Sequence, residues 1–99
     1  GTATSSITIA GCDRAASASS TVAVNIAHTF RGDLIIDLIA PDGTAYRLKN
    51  SSSSDSADNV IATYTVDASA ETANGTWKLQ VRDVAAQDTG YIDSWQLTF

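Results

Sequence analysis

The chain has 99 residues, among them one Cys, one His and one Pro, and its formal charge is -5. This length fits one domain, and the acidic balance argues against a nucleic-acid partner, which needs clustered Lys and Arg. No run of 18 apolar residues is present to span a membrane, and a single Cys provides neither an internal disulfide nor a cysteine quartet for zinc.

Alternating apolar side chains predict half-buried strands along most of the chain. After a short candidate at 6–10, the first clear pattern places Val22, Val24, Ile26 and His28 or Phe30 on one face. Segment 34–39 is almost continuously apolar, which is typical of a central strand covered on both faces. Segments 45–48 and 61–66 are further candidates, and the second is rich in β-branched residues.

Two tryptophans lie in the last two predicted strands. The alternation gives these strands the faces Trp77, Leu79, Val81 and Tyr91, Asp93, Trp95, Leu97, Phe99. Because both indoles share a face with aliphatic side chains, we expect them in the core rather than in a sugar-stacking platform.

Turn signals separate the predicted strands. Segment 41–44 reads Pro-Asp-Gly-Thr, a strong turn, and Asn74-Gly75 is a strong two-residue hairpin signal. Segment 88–90 closes a further connection, and the serine-rich segment 51–59 predicts a polar loop. Strands spaced by roughly 8–12 residues are typical of an all-β sandwich or barrel.

Four motifs occur in a specific order: His28–Leu34 (HTFRGDL), Asp37–Thr44 (DLIAPDGT), Asn74–Leu79 (NGTWKL) and Gly90–Leu97 (GYIDSWQL). The series resembles the P-domain, or Homo B domain, of kexin- and furin-like proprotein convertases, in the version carried by bacterial secreted proteases. The resemblance covers roughly residues 20 to 99. It implies a jelly-roll β-sandwich of about eight strands, with residues 1–99 forming a single module excised from a larger secreted protease.

The resemblance also implies a function. Such a domain follows a protease catalytic domain in the same polypeptide, has no catalytic residues of its own, stabilises that domain and assists its folding. We therefore expect an extracellular, monomeric accessory domain of a serine or metallo type protease. The alternative is a module that recruits a secreted hydrolase to a polymer, either a carbohydrate or a protein polymer substrate.

Carboxylates provide the candidate metal ligands, since calcium prefers six to eight oxygen donors. Three of them fall within one loop region, two flank or interrupt the apolar segment 34–39, and one lies in the serine-rich loop. In that order they are Asp83, Asp88 and Asp93, then Asp33 and Asp37, then Asp58. The sequence allows a calcium site here, and the alternative is a set of turn-forming caps and solvated acids.

Three other residues or motifs have competing interpretations. His28 is the one base available to a serine nucleophile, but its strand pattern favours a packed, hydrogen-bonded histidine. Segment 31–33 spells Arg-Gly-Asp, and because it leads directly into a strand we expect Arg31 to pair with a nearby carboxylate. Cys12 is either a free thiol or a tether to a segment outside this chain.

Overall fold

The protein is all-β in the computed structural model, which describes residues 2–12, 14–52, 54–84 and 90–99. A one-turn 3-10 helix at Arg31–Asp33 precedes the third strand. The predicted β-sandwich is confirmed, with seven strands in the described residues where about eight were expected. They are β1 (Thr2–Ile9), β2 (Ser20–His28), β3 (Leu34–Ile39), β4 (Ala45–Lys49), β5 (Val60–Val66), β6 (Gly75–Asp83) and β7 (Gly90–Thr98).

The strands form two antiparallel sheets. One has the order β1-β6-β3-β4 and the other has the order β5-β2-β7. Among the described strands, only β3 and β4 are both consecutive in sequence and paired with each other. The same part of the chain contains no helix of the length and apolar character needed to cross a membrane.

The turn between β3 and β4 forms where it was predicted. Gly43 has a φ of 92°, a left-handed conformation that glycine adopts without steric cost. Its N–H donates to the carbonyl oxygen of Ala40 over 2.9 Å, and the Thr44 N–H donates to Asp42 Oδ1 over 2.9 Å. The aspartate side chain therefore closes the turn from inside, as Asx turns do.

The Asn74-Gly75 pair does not form the predicted hairpin. Strand β6 begins at Gly75, whereas the preceding strand β5 belongs to the other sheet. Asn74 instead accepts a hydrogen bond from the Cys12 N–H at 2.9 Å. The prediction was wrong because the partner of β6 is β1, which lies far away in sequence.

The core lies between the two sheets. Trp77 is fully buried, its Nε1 donates to the carbonyl oxygen of Ala73 over 2.9 Å, and its ring centroid is 5.1 Å from that of Phe99. Trp95 packs against the core but stays half-buried, and its Nε1 donates to Ser5 Oγ over 3.0 Å. Most of the other large core side chains come from β2, β3 and β6: Val22, Val24, Ile26, Leu34, Ile36, Leu38, Leu79 and Val81.

A β-bulge interrupts the expected alternation in β7. Ile26 pairs with Ile92 and the preceding Asn25 pairs with Ser94, so Asp93 falls between two paired positions. As a result Ile92 packs against the core while Tyr91 is 63% exposed. The prediction that Tyr91 shares a face with Trp95 was wrong, because an inserted residue reverses the alternation at that point.

Candidate functional site

One end of the sandwich brings several of the polar candidate residues together. Strand β2 ends there at His28 and β6 ends there at Asp83, while the 3-10 turn leads into β3. The loop between β4 and β5 covers this end, because the Asn59 N–H donates to the carbonyl oxygen of His28 and the His28 N–H donates to Asn59 Oδ1. We call this region the loop end: residues 28–33, 49–52, 54–59 and Asp83.

His28 is buried and forms hydrogen bonds through both ring nitrogens. Its Nε2 is 2.8 Å from Asp83 Oδ2, and its Nδ1 accepts the Phe30 N–H at 3.0 Å. A proton on Nε2 satisfies both contacts, so the network assigns the neutral ring that tautomer. A general base needs a nitrogen lone pair directed at the nucleophile, whereas here the ring lone pair is occupied by a backbone amide. His28 is thus packed and hydrogen-bonded, as predicted.

Asp33 and Asp83 lie at the same end of the sheet. The Asp33 carbonyl oxygen accepts the Val84 N–H at 2.9 Å, and Leu34 pairs with Asp83. The Asp33 N–H donates back to the carbonyl oxygen of Phe30 over 3.1 Å, which closes the 3-10 turn. Two of the six predicted calcium ligands therefore lie near each other at one end of the sheet, although Asp83 is already bonded to His28.

The other predicted ligands are separated. Asp37 is buried in β3, where Arg47 Nε donates to its Oδ1 over 2.6 Å. Asp58 is exposed in the β4–β5 loop and Asp93 is exposed at the bulge of β7. Asp88 lies outside the described residues. Within the described ranges, no three His, Cys, Asp or Glu side chains are grouped to hold a metal ion.

The Arg-Gly-Asp tripeptide is held against the β4–β5 loop. Arg31 Nε contacts both carboxylate oxygens of Asp55, at 3.0 and 2.9 Å, and this hydrogen bonding lowers the pKa of Asp55. The Gly32 N–H donates to the Asp55 carbonyl oxygen over 3.1 Å, and the Ser52 N–H donates to the Gly32 carbonyl oxygen over 2.7 Å. The tripeptide therefore has the structural role that its position predicted, and its arginine pairs with a carboxylate.

Lys49 is a polar residue of the loop end that the sequence patterns did not indicate. Its Nζ donates to the carbonyl oxygens of Arg31, Leu34 and Asn50, at 2.8, 3.1 and 3.2 Å. Partial burial lowers the pKa of this ammonium group. No sequence pattern around Lys49 could predict these bonds, because the carbonyl oxygens belong to a turn and to the ends of two different strands.

The aromatic residues do not form a shared exposed platform. Tyr46 donates to Glu71 Oε2 over 2.6 Å. This bond, partial burial and the charge of Glu71 together raise the pKa of Tyr46 to about 12. Tyr64 is half-buried, and burial raises its pKa. Among the tyrosines and tryptophans of the described residues, only Tyr91 is largely exposed.

The sequence model of the proprotein convertase P-domain matches residues 17–99. The chain belongs to the proprotein convertase P-domain family. The resemblance seen over residues 20 to 99 is thereby confirmed. It agrees with the β-sandwich fold described above.

Several curated bacterial proteins contain a similar P-domain. The chain is 59% identical over 95 residues to leupeptin-inactivating enzyme 1 of Streptomyces exfoliatus, covering 96% of this chain and 22% of that protein. It is 64% identical over 78 residues to the transglutaminase-activating metalloprotease of Streptomyces mobaraensis, covering 79% and 10%. It is 36% identical over 96 residues to the extracellular basic protease of Dichelobacter nodosus, covering 97% and 16%. The P-domain thus spans less than a quarter of each relative.

Solved structures show the same fold. The P-domain matches a serine protease of Aeromonas sobria with a TM-score of 0.73 and 21% identity, over 95% of this chain and 22% of that one. A second crystal structure holds the same protease with a chaperone, and it matches with a TM-score of 0.65 and 20% identity over 95% and 21%. At these identities the likeness establishes the sandwich architecture.

Proposed function

We propose that this P-domain is a non-catalytic accessory domain of a larger secreted bacterial protease, and that it stabilises the catalytic domain and assists its folding. One observation carries the proposal. Almost the whole chain matches leupeptin-inactivating enzyme 1 at 59% identity, yet it fills only 22% of that protein. Similar domains form a small part of several longer bacterial proteins, and two of these are named proteases. We therefore expect such a domain to act on the rest of the polypeptide.

The internal chemistry of the domain supports an accessory role. The His28 ring is engaged on both nitrogens, and the buried Asp37 is paired with Arg47. The hydrogen-bonding capacity of both side chains is therefore used within the domain. A contact that forms only when both domains are folded stabilises each of them by linkage, so a P-domain can protect a neighbouring catalytic domain without taking part in its reaction.

The test compares the secreted polypeptide that carries this domain with a version lacking residues 1–99. We expect the deletion to lower the secreted yield and to shorten the half-life of proteolytic activity on heating. A matched control replaces the domain with an unrelated β-sandwich of similar length, which keeps the chain length but not the contact surface. Equal yields and half-lives for all three proteins would refute the stabilising role.

The proposal includes an extracellular location, since one relative is named an extracellular protease. Fractionation of the producing cells tests it. We expect the P-domain, detected by antibody, in the culture medium together with proteolytic activity, and its retention inside the cells would contradict the proposal.

We also propose calcium binding, as a separate point that rests on the carboxylates of the sequence. Asp33 and Asp83 lie at the loop end, but Asp83 is bonded to His28 and Asp37 is bonded to Arg47. Calcium would therefore need oxygens other than those of these two engaged carboxylates. We expect millimolar calcium to raise the melting temperature of the chain above its value in chelator, with magnesium as the control. Superimposable melting curves in calcium and in chelator would remove this proposal.

A further inference from the structure

The two outer surfaces of the sandwich differ in charge. On the β5-β2-β7 sheet, cross-strand rows run from Ile61 through Asn25 to Ser94 and from Thr63 through Ala23 to Gln96. All six side chains point away from the core and are uncharged. We call these six residues the neutral face. Among the described residues of β2, β5 and β7, the one charged outward side chain is Asp93, which lies at the bulge.

The outer surface of the four-stranded sheet is basic by contrast. Lys78 and Arg82 are exposed on β6, and Arg47 lies on β4 beside Asp37. Covering such a surface requires stripping water from several charges, which costs free energy unless each charge finds a partner. The neutral face has no comparable cost at its centre.

The neutral face also exposes apolar area. Ile61 is 75% exposed, and Tyr91, which lies beside the row of Ile61, Asn25 and Ser94, is 63% exposed. Between the strands lies a shallow depression lined by Ala23, Asn25, Ser94 and Gln96. Protein interfaces are depleted of charge at their centre and enriched in tyrosine. A small acidic protein that leaves the middle of one sheet uncharged therefore presents a surface suited to a protein neighbour.

We propose that the neutral face is where the catalytic domain of the same polypeptide docks, an inference that rests on the function proposed above. The P-domain fills at most 22% of each relative described, so most of such a polypeptide is available as the neighbour. The size also fits. Three strands of about seven residues span about 23 by 14 Å, or roughly 600 Å² over both partners, which is the lower end for inter-domain interfaces.

Photocrosslinking in the secreted polypeptide that carries the P-domain tests this assignment. The photoreactive residue p-benzoylphenylalanine replaces Thr63 or Gln96 on the neutral face. As matched controls it replaces Thr4 or Gln80, which pair with each other and point outward on the opposite sheet. We expect irradiation to link positions 63 and 96 to the catalytic domain, as mapped by mass spectrometry, and to yield no such product from positions 4 and 80.

Other products would overturn the inference. Links from the control positions alone, no links from either face, or links from the neutral face only to a second copy or to an insoluble polymer would each do so. Crosslinking reports contact rather than stability. If deletion of the domain leaves the half-life of the protease unchanged while positions 63 and 96 still crosslink, then the stabilising role fails and the docking face stands.

A charge substitution gives a second readout. Thr63 is exposed on an edge strand, so Thr63→Arg should fold normally, but it would place an unpaired charge inside the docked surface. We expect heat inactivation of the protease to become about tenfold faster or more, whereas Gln80→Arg should change it by less than about twofold. Equal effects of the two variants would overturn the inference.

Discussion

Gly32→Ala tests the claim that the Arg-Gly-Asp turn is a packing element of the loop end. A Cβ at this position would overlap the backbone carbonyl oxygens of Ser52 and Asp55. Both atoms belong to the main chain, so rotation of a side chain cannot relieve the overlap. Gly32 is also absent from the left-handed backbone positions of the described residues, so its requirement for glycine is one of space.

The expected magnitude follows from the contacts that must move. Overpacking a tight site costs about 1–3 kcal/mol. Shifting the loop also strains the Gly32 N–H bond to Asp55 and the Ser52 N–H bond to Gly32, each worth about 0.5–1.5 kcal/mol. The total is about 2–6 kcal/mol. For a domain of this size that corresponds to a fall in melting temperature of roughly 10–30 °C.

Urea unfolding followed by tryptophan fluorescence measures this loss, because Trp77 is fully buried in the native state. The matched control is Gly43→Ala. That glycine has a φ of 92° and nothing within 4 Å of its added Cβ, so we expect about 1 kcal/mol from backbone strain alone. If Gly32→Ala costs no more than Gly43→Ala, the tripeptide is not the tightly packed element described here.

Three further predictions concern single contacts. Trp77→Phe should destabilise the domain by about 2–4 kcal/mol in urea unfolding, because it leaves a cavity and an unpaired backbone carbonyl, and a loss below about 1 kcal/mol would contradict its place in the core. In Tyr46→Phe, the phenol whose pKa is raised to about 12 should be missing from a titration followed by tyrosinate absorbance. The folded pKa of Tyr46 lies above the unfolded value of about 10. The stability that its bond to Glu71 supplies is therefore present below pH 10 and lost towards pH 12. In Tyr46→Phe this pH-dependent loss should be absent. Arg47→Met should destabilise the domain by about 1–3 kcal/mol, because Asp37 is left buried without its partner, and Asp37→Asn in the same background should recover part of that loss.

The sequence predicted the strands whose pairing leaves the alternation unbroken. In β2, Val22, Val24 and Ile26 are buried as their spacing indicates, and in β6 Trp77 and Leu79 are buried as well. These strands alternate regularly because each has one face on the core and the other outward. Local turn chemistry was equally reliable where the turn joins two paired strands, as it does between β3 and β4.

The features that were missed depend on partners far away in the chain. The bulge at Asp93 reverses the face of Tyr91, and no residue type in β7 signals it. Asn74-Gly75 has hairpin chemistry, but the strand before it belongs to the other sheet. The three carbonyl oxygens around Lys49 come together only after β3 and β4 have paired. Each of these outcomes is decided by tertiary pairing, which overrides local preference.

The strand order determines how the domain must assemble. Among the described strands, every pairing except β3 with β4 joins segments far apart in the chain, and the nearest of those contacts joins Ile26 to Val60. Early local contacts can therefore form one short hairpin at most, and both sheets stay incomplete until β6 and β7 arrive. Chains dominated by such distant contacts fold slowly, in about milliseconds to seconds. During that interval β2 has an open edge, so a nascent or truncated chain that lacks β7 is expected to aggregate rather than to wait in a native-like state.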